Sequence, residues 1–124
     1  MKKHAALVSL AAAALFGAGA AHAALDNAQA EAMMKKDGCA ACHSTDGSTL
    51  GKVGPTWKGL SGSNVALADG TRVVADAAYL RESIREPSAK VVKDYDKSET
   101  AMPSYEGLLS EAQVEALVLY LQAL

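Results

Sequence analysis

Residues 38–44 read GCAACHS: Cys39 and Cys42 with two residues between them, and His43 directly behind the second sulfur. Two cysteines and a histidine at this spacing could serve a disulfide, a thiol redox centre, a zinc ion or a tethered prosthetic group. The rest of the chain decides among them.

The chain opens MKKHAALVSLAAAALFGAGAAHA. Lys2 and Lys3 make a basic start, an Ala/Leu-rich run follows, and Ala21-His22-Ala23 forms a small-x-small cleavage site, the pattern of a secretory signal. The competing reading is a retained anchor, but the apolar run falls short of the roughly 20 residues a helix needs to span a bilayer. Residues 1–23 are therefore expected to be removed, leaving 24–124 as one exported, soluble domain without a membrane span. Removal takes away the single Phe, Phe16, together with His4 and His22, so His43 becomes the sole histidine. Without Lys2 and Lys3 the balance is 10 basic against 14 acidic residues, a formal −4. A nucleic-acid binder would need a basic face, so that class is excluded. Bulky core residues are few: Trp57, four tyrosines and one isoleucine, Ile84. A chain this small buries a low fraction of its surface, so a thin set of large side chains implies that something else fills the middle.

Asp26 with Gln29 three residues later has the form of a capping box opening a helix to about Lys36, ended by Gly38. From Ser44 to Gly62 the chain is rich in Gly, Ser and Thr and reads as loop, with a short helical turn near Trp57. Two β-leaning runs flank Asp69-Gly70, which predicts a hairpin over about 65–74. Asp76 caps a predicted helix from Ala77 to Arg85 or Glu86, stopped by Pro87. Residues 88–109 read as irregular. Ser110 with Gln113 opens a last helix, whose Val114, Leu117, Val118 and Leu121 form one buried stripe. Loops this long within a small domain are expected where they wrap a bound group.

Against that background three readings of the cysteines fall away. A disulfide between residues three apart closes a very small loop and constrains the unfolded chain little. A thioredoxin-like site needs strand–helix–strand surroundings, whereas this motif follows a helix and enters a loop. Structural zinc takes four protein ligands, and two cysteines with one histidine are too few. Cys-x-x-Cys-His is the attachment pattern of a c-type haem. The sulfurs add to the two vinyl groups, and His43 reaches the iron from the same short segment. The macrocycle would also supply the missing core.

With no second histidine available, the sixth position on iron falls to a methionine or stays open. Met33 and Met34 precede Cys39 on the helix held to the His43 side and read as core. Met102, in a loop ahead of Pro103, can cross the opposite face. It is the expected ligand.

At this point the chain resembles the class I c-type cytochromes. GCAACHS, VGPTWKGL, AMPSYEGL and EAQVEALVLYLQAL occur in the family's order, and the resemblance covers nearly all of residues 25–124. LADGTRVVADAAYLRESIREPSAKVV further resembles the cytochrome domain of haem–copper oxidase subunit II and its free-standing soluble relatives. The resemblance implies an all-α cytochrome c fold, with about three main helices wrapped around one covalent haem c and a small hairpin inserted near 65–74. It implies that the Pro55 carbonyl accepts the Nδ1 hydrogen of His43, and that Trp57 and Leu60 pack on the haem edge. Where the family crosses its outer helices through a Gly and an aromatic, this chain has Ala30 and Met34, facing Leu117 and Tyr120. That departure bears on how closely the helices approach.

The expected function is that of a periplasmic monohaem electron carrier, not an enzyme, with His43 and Met102 holding the iron. Its expected partners are redox proteins: a membrane respiratory complex, a terminal oxidase or a periplasmic dehydrogenase. A monomer is expected. Lys52, Lys58, Lys90, Lys93 and Lys97 are candidate docking charges around the exposed edge. The rival class is a peroxidase or gas sensor, which would want distal acid–base groups that a chain with one histidine does not offer.

Overall fold

The computed structural model describes residues 25–96 and 101–124. The expected leader, residues 1–23, lies outside the described residues, as does Lys97. Along the chain come α1 (Asn27–Lys36), α2 (Cys39–Cys42), β1 (Asn64–Ala66), β2 (Arg72–Val74), α3 (Ala77–Arg85) and α4 (Glu111–Gln122). The described residues form a helical domain carrying one small antiparallel two-stranded sheet.

The helix starts follow from their caps. Asp26 accepts from the Gln29 N–H while the Gln29 side chain accepts from the Asp26 N–H, and Ser110 with Gln113 repeats the exchange at α4. Each reciprocal pair satisfies two backbone donors that a helix start would leave orphaned. Asp76 caps α3 through the Tyr79 N–H, and Pro87 follows its last turn. In the hairpin Asn64 pairs with Val74 and Ala66 with Arg72. Around its tip, Asp69 Oδ1 accepts from the backbone N–H of Thr71, and Gly70 takes a φ of +89° that an L side chain disfavours. Residues 91–93 add to the hairpin, since Ala68 N–H donates to Val91 and Lys93 N–H to Ala66, both at 2.9 Å.

The expected stripe of α4 is buried, and Ala116 and Tyr120 are buried as well, so α4 is covered on a wider face than the four-residue pattern implied. It packs against α1 and α3. The two buried residues of α1 are Ala30 and Met34, the positions that replace the family's Gly and aromatic. Ala30 is only 1% exposed, so one methyl group is accommodated at the crossing. Tyr120 Oη reaches back to Glu31 at 3.0 Å. Ion pairs Arg81–Glu115 and Arg85–Glu111 link α3 to α4 along the rim.

One short element was not anticipated from the sequence. Gly38, with φ +80°, ends α1 as expected, and Cys39–Cys42 closes one further helical turn before the chain extends at His43. A left-handed residue redirects the axis without ending helical hydrogen bonding, and His43 N–H still donates to Cys39 at 3.0 Å.

Candidate haem site

Residues three apart on a helix share a face. The α2 turn therefore aims Cys39 and Cys42 to the same side, and both line one cavity of about 480 Å³. They are not bonded to each other. His43, Pro55, Trp57, Leu60 and Met102 line the same cavity, so the residues expected to hold or pack on a haem converge on it, whereas Lys52, Lys58 and Lys93 lie outside its walls. The walls come from α1, α3, α4 and the loops between them, and their character is mainly apolar. The volume falls within the range of roughly 300–1,000 Å³ typical of cofactor pockets.

His43 is held on three sides. Its Nδ1 lies 2.7 Å from the Pro55 carbonyl oxygen. Its ring stacks on Trp57 with centroids 4.7 Å apart and planes inclined by 17°. Beneath it passes the backbone of Gly54, where a Cβ would stand 2.6 Å from His43 Cε1. The loop is drawn to this position by Gly54 N–H donating to Cys42 (3.0 Å) and Trp57 N–H donating to Ser44 (2.8 Å). With the Pro55 carbonyl as acceptor, Nδ1 carries the hydrogen, which leaves the Nε2 lone pair for a metal. Burial pushes the His43 pKa below that of free imidazole, and nearby Lys52 adds to this, while the Pro55 carbonyl pulls the other way. The neutral ring, the form that ligates metals, is favoured.

The Cys39 sulfur is not tuned for thiol chemistry. Burial raises the Cys39 pKa above its ordinary value, against a smaller lowering by Tyr105. A reactive thiol needs the opposite shift. Lys52 does not stand free beside the motif, because its Nζ donates to the Ala40 carbonyl at 2.7 Å, between the cysteines.

Two features fit this cavity to a haem. The first is the cradle at Gly54, which admits the imidazole only because no side chain is present. The second is Ser83: its Oγ is buried, faces no well-formed hydrogen-bond partner among the described residues, and belongs to a residue lining the cavity. A buried hydroxyl left unpaired costs about 1–3 kcal/mol, so a bound group with polar edges would relieve it.

The family model described as cytochrome c oxidase, cbb3-type, subunit III matches residues 23–121. The chain belongs to this family of c-type cytochrome domains. It is a haem-containing electron-transfer protein whose cofactor is covalently attached haem c with its iron. The subunit named differs from the subunit II relatives that residues 67–92 resemble; both are cytochrome c domains of respiratory oxidases. A search of curated proteins returned no match.

Met102 lies on the cavity wall but is 38% exposed, more open than the cysteines or His43. Gly54 and Tyr105 also belong to the site and were not singled out from the sequence. Gly54-Pro55 reads as turn punctuation until the ring beside it is seen. Tyr105 sits inside the quoted AMPSYEGL, yet only its distant partners reveal its place: Tyr105 Oη donates to the Asp37 carbonyl at 2.6 Å and lies 4.0 Å from Cys39 Sγ.

Proposed function

We propose that this chain is a periplasmic carrier of single electrons, with Cys39 and Cys42 tethering haem c and with His43 and Met102 as the axial ligands. The observation that carries this reading is that His43, its Nδ1 already engaged by Pro55, and Met102, from a separate loop, line the same cavity. Haem c supplies the one-electron iron couple. The chain's own part is positional. Pro55, Trp57 and Gly54 fix the imidazole, so ligand geometry changes little with oxidation state. The thioether of Met102 is a soft donor that favours ferrous iron and raises the potential. Apolar walls from Trp57, Leu60, Leu80 and Leu117 exclude water, and burial has the same effect on potential.

Export with cleavage after Ala23 rests on the sequence of residues 1–23, and among the described residues no helix is long and apolar enough to cross a membrane. The family's name supports exchange of electrons with a respiratory oxidase. Docking is steered by the candidate lysines around the haem edge. Lys90 is paired with Glu82, whereas Lys52 donates to the neutral Ala40 carbonyl and keeps its charge beside the exposed Lys58 and Lys93. Transfer to the partner is expected to slow as salt screens these charges. Rates that stay flat from low to high ionic strength would contradict the lysine surface.

The exposure of Met102 favours a second reading, a haem that releases its sixth ligand to bind a gas or peroxide. One set of spectra separates the two. A carrier is low-spin when oxidised, shows a weak near-infrared sulfur-to-iron band, and takes up carbon monoxide poorly when reduced. Met102→Ala should abolish the band, lower the potential and admit carbon monoxide. A wild type that is high-spin at neutral pH and binds carbon monoxide readily would overturn the carrier in favour of the second reading.

A further inference from the structure

The loop bearing Met102 continues through Pro103, Ser104, Tyr105 and Glu106, and the last three are fastened to other elements. Tyr105 Oη donates to the carbonyl of Asp37, the residue that ends α1, at 2.6 Å. The Tyr105 backbone N–H donates to Ile84 at 3.2 Å, and Ser104 Oγ donates to the Arg85 carbonyl, both in the last turn of α3. The Arg85 guanidinium reaches Glu106 at 3.8 Å and also pairs with Glu111. The Met102 side chain carries no strong hydrogen-bonding group and is partly exposed. Its place over the cavity is inherited from the residues two to four positions later.

We propose that Tyr105 is a positioning residue: by locking the 104–106 segment to the ends of α1 and α3, it holds Met102 over the cavity and sets how readily an outside ligand displaces it. This rests on the reading of Met102 as axial ligand. Displacing the thioether requires its loop to swing outward. Ser104–Glu106 moves with it, because Pro103 stiffens the join. The Tyr105–Asp37 bond must then break in the open form, so its free energy adds to the cost of opening. Tyr105 is half-buried, and water replaces that bond poorly. Tethering haem at Cys39 would remove the S–H that points at Tyr105 Oη, but the donation from Oη to Asp37 needs no thiol and survives it.

The test uses the full chain carrying haem. Oxidised wild type, Tyr105→Phe, Ser104→Ala, Tyr120→Phe and Met102→Ala are titrated with imidazole in the visible spectrum, with thermal unfolding followed in parallel. Tyr105→Phe is expected to bind imidazole up to about tenfold more tightly than wild type, the factor that one shielded hydrogen bond converts to. Ser104→Ala should shift affinity in the same direction. Tyr120→Phe removes a comparable tyrosine bond, to Glu31, away from the Met102 loop, and should leave imidazole affinity unchanged. The proposal is overturned if Tyr105→Phe binds imidazole no better than wild type. It is equally overturned if Tyr120→Phe moves the affinity as far, since that would mark a general loss of stability. Should Tyr105→Phe yield no folded haem protein, Ser104→Ala carries the comparison, and unchanged affinity there overturns the latch. A wild type that binds imidazole as tightly as Met102→Ala instead overturns the axial reading, and the latch with it.

Discussion

The carbonyl oxygen of Pro55 lies 2.7 Å from Nδ1 of His43, and the residue before it, Gly54, lends the ring the space its own side chain would fill. Gly54 has no left-handed φ, so an alanine there meets no backbone penalty and the effect of substitution is steric alone. Gly54→Ala should push the imidazole off Pro55 or move the loop, at a cost of about 1–3 kcal/mol. The expected result is a Tm lowered by several degrees together with a perturbed haem spectrum, measured by thermal unfolding and absorbance. Unchanged values in both would show that the loop yields freely.

Loss of the tether should cost far more. Without haem the mainly apolar walls around a cavity of about 480 Å³ would face water, and the stability of a small domain is itself only about 5–15 kcal/mol. Protein with Cys39→Ala and Cys42→Ala should therefore lose covalent haem and cooperative folding together. Circular dichroism during melting reads this directly; a fully helical, sharply melting apo domain would contradict it.

At the crossing of α1 and α4 both directions of change at Ala30 should destabilise. Ala30→Leu overpacks a site that is 1% exposed and is expected to cost about 1–3 kcal/mol. Ala30→Gly restores the family's residue but loses about 1 kcal/mol of helix propensity. Denaturant midpoints of the two variants check the ordering. An Ala30→Leu variant as stable as wild type would mean that the helices stand apart.

The Arg81–Glu115 link between α3 and α4 carries a pH signature. The hydrogen bond from Arg81 holds the Glu115 carboxyl below the usual carboxylate range. A depressed folded-state value means that the contribution is present above the unfolded carboxylate pKa and is lost as pH falls through the folded one. Glu115→Gln should thus lower Tm slightly at pH 7 and not at all in strong acid, the pair being a rim contact of small worth. A Tm difference that persists in acid would assign the effect to packing.

Much of the fold was legible because its signals are local. Asp26/Gln29 and Ser110/Gln113 each fit within one helical turn, and Asp69-Gly70 fits within one hairpin tip, so the pattern and the contact are the same few residues. The proposed haem-binding segment was legible for the same reason, since Cys39, Cys42 and His43 form a complete attachment pattern within five positions. What stayed hidden joins distant positions. Nothing near Tyr105 announces Asp37, and nothing near Gly54 announces the imidazole ring. The α2 turn escaped notice because Gly38 reads as a stop, whereas with φ +80° it turns the axis and lets helical bonding resume.

The bond between Glu31 and Tyr120 spans 89 positions of chain. Closing so long a loop is entropically unfavourable, with a cost that grows as the logarithm of its length, and contacts of this separation slow folding. On the proposed reading, a group anchored at Cys39–His43 and gripped again at Met102 would cut that one long loop into a bridged middle and two short arms. The outer helices would then search a much smaller volume for each other. The prosthetic group would in that case act on the folding rate as well as on stability, as a cross-link whose insertion decides when α1 and α4 can meet.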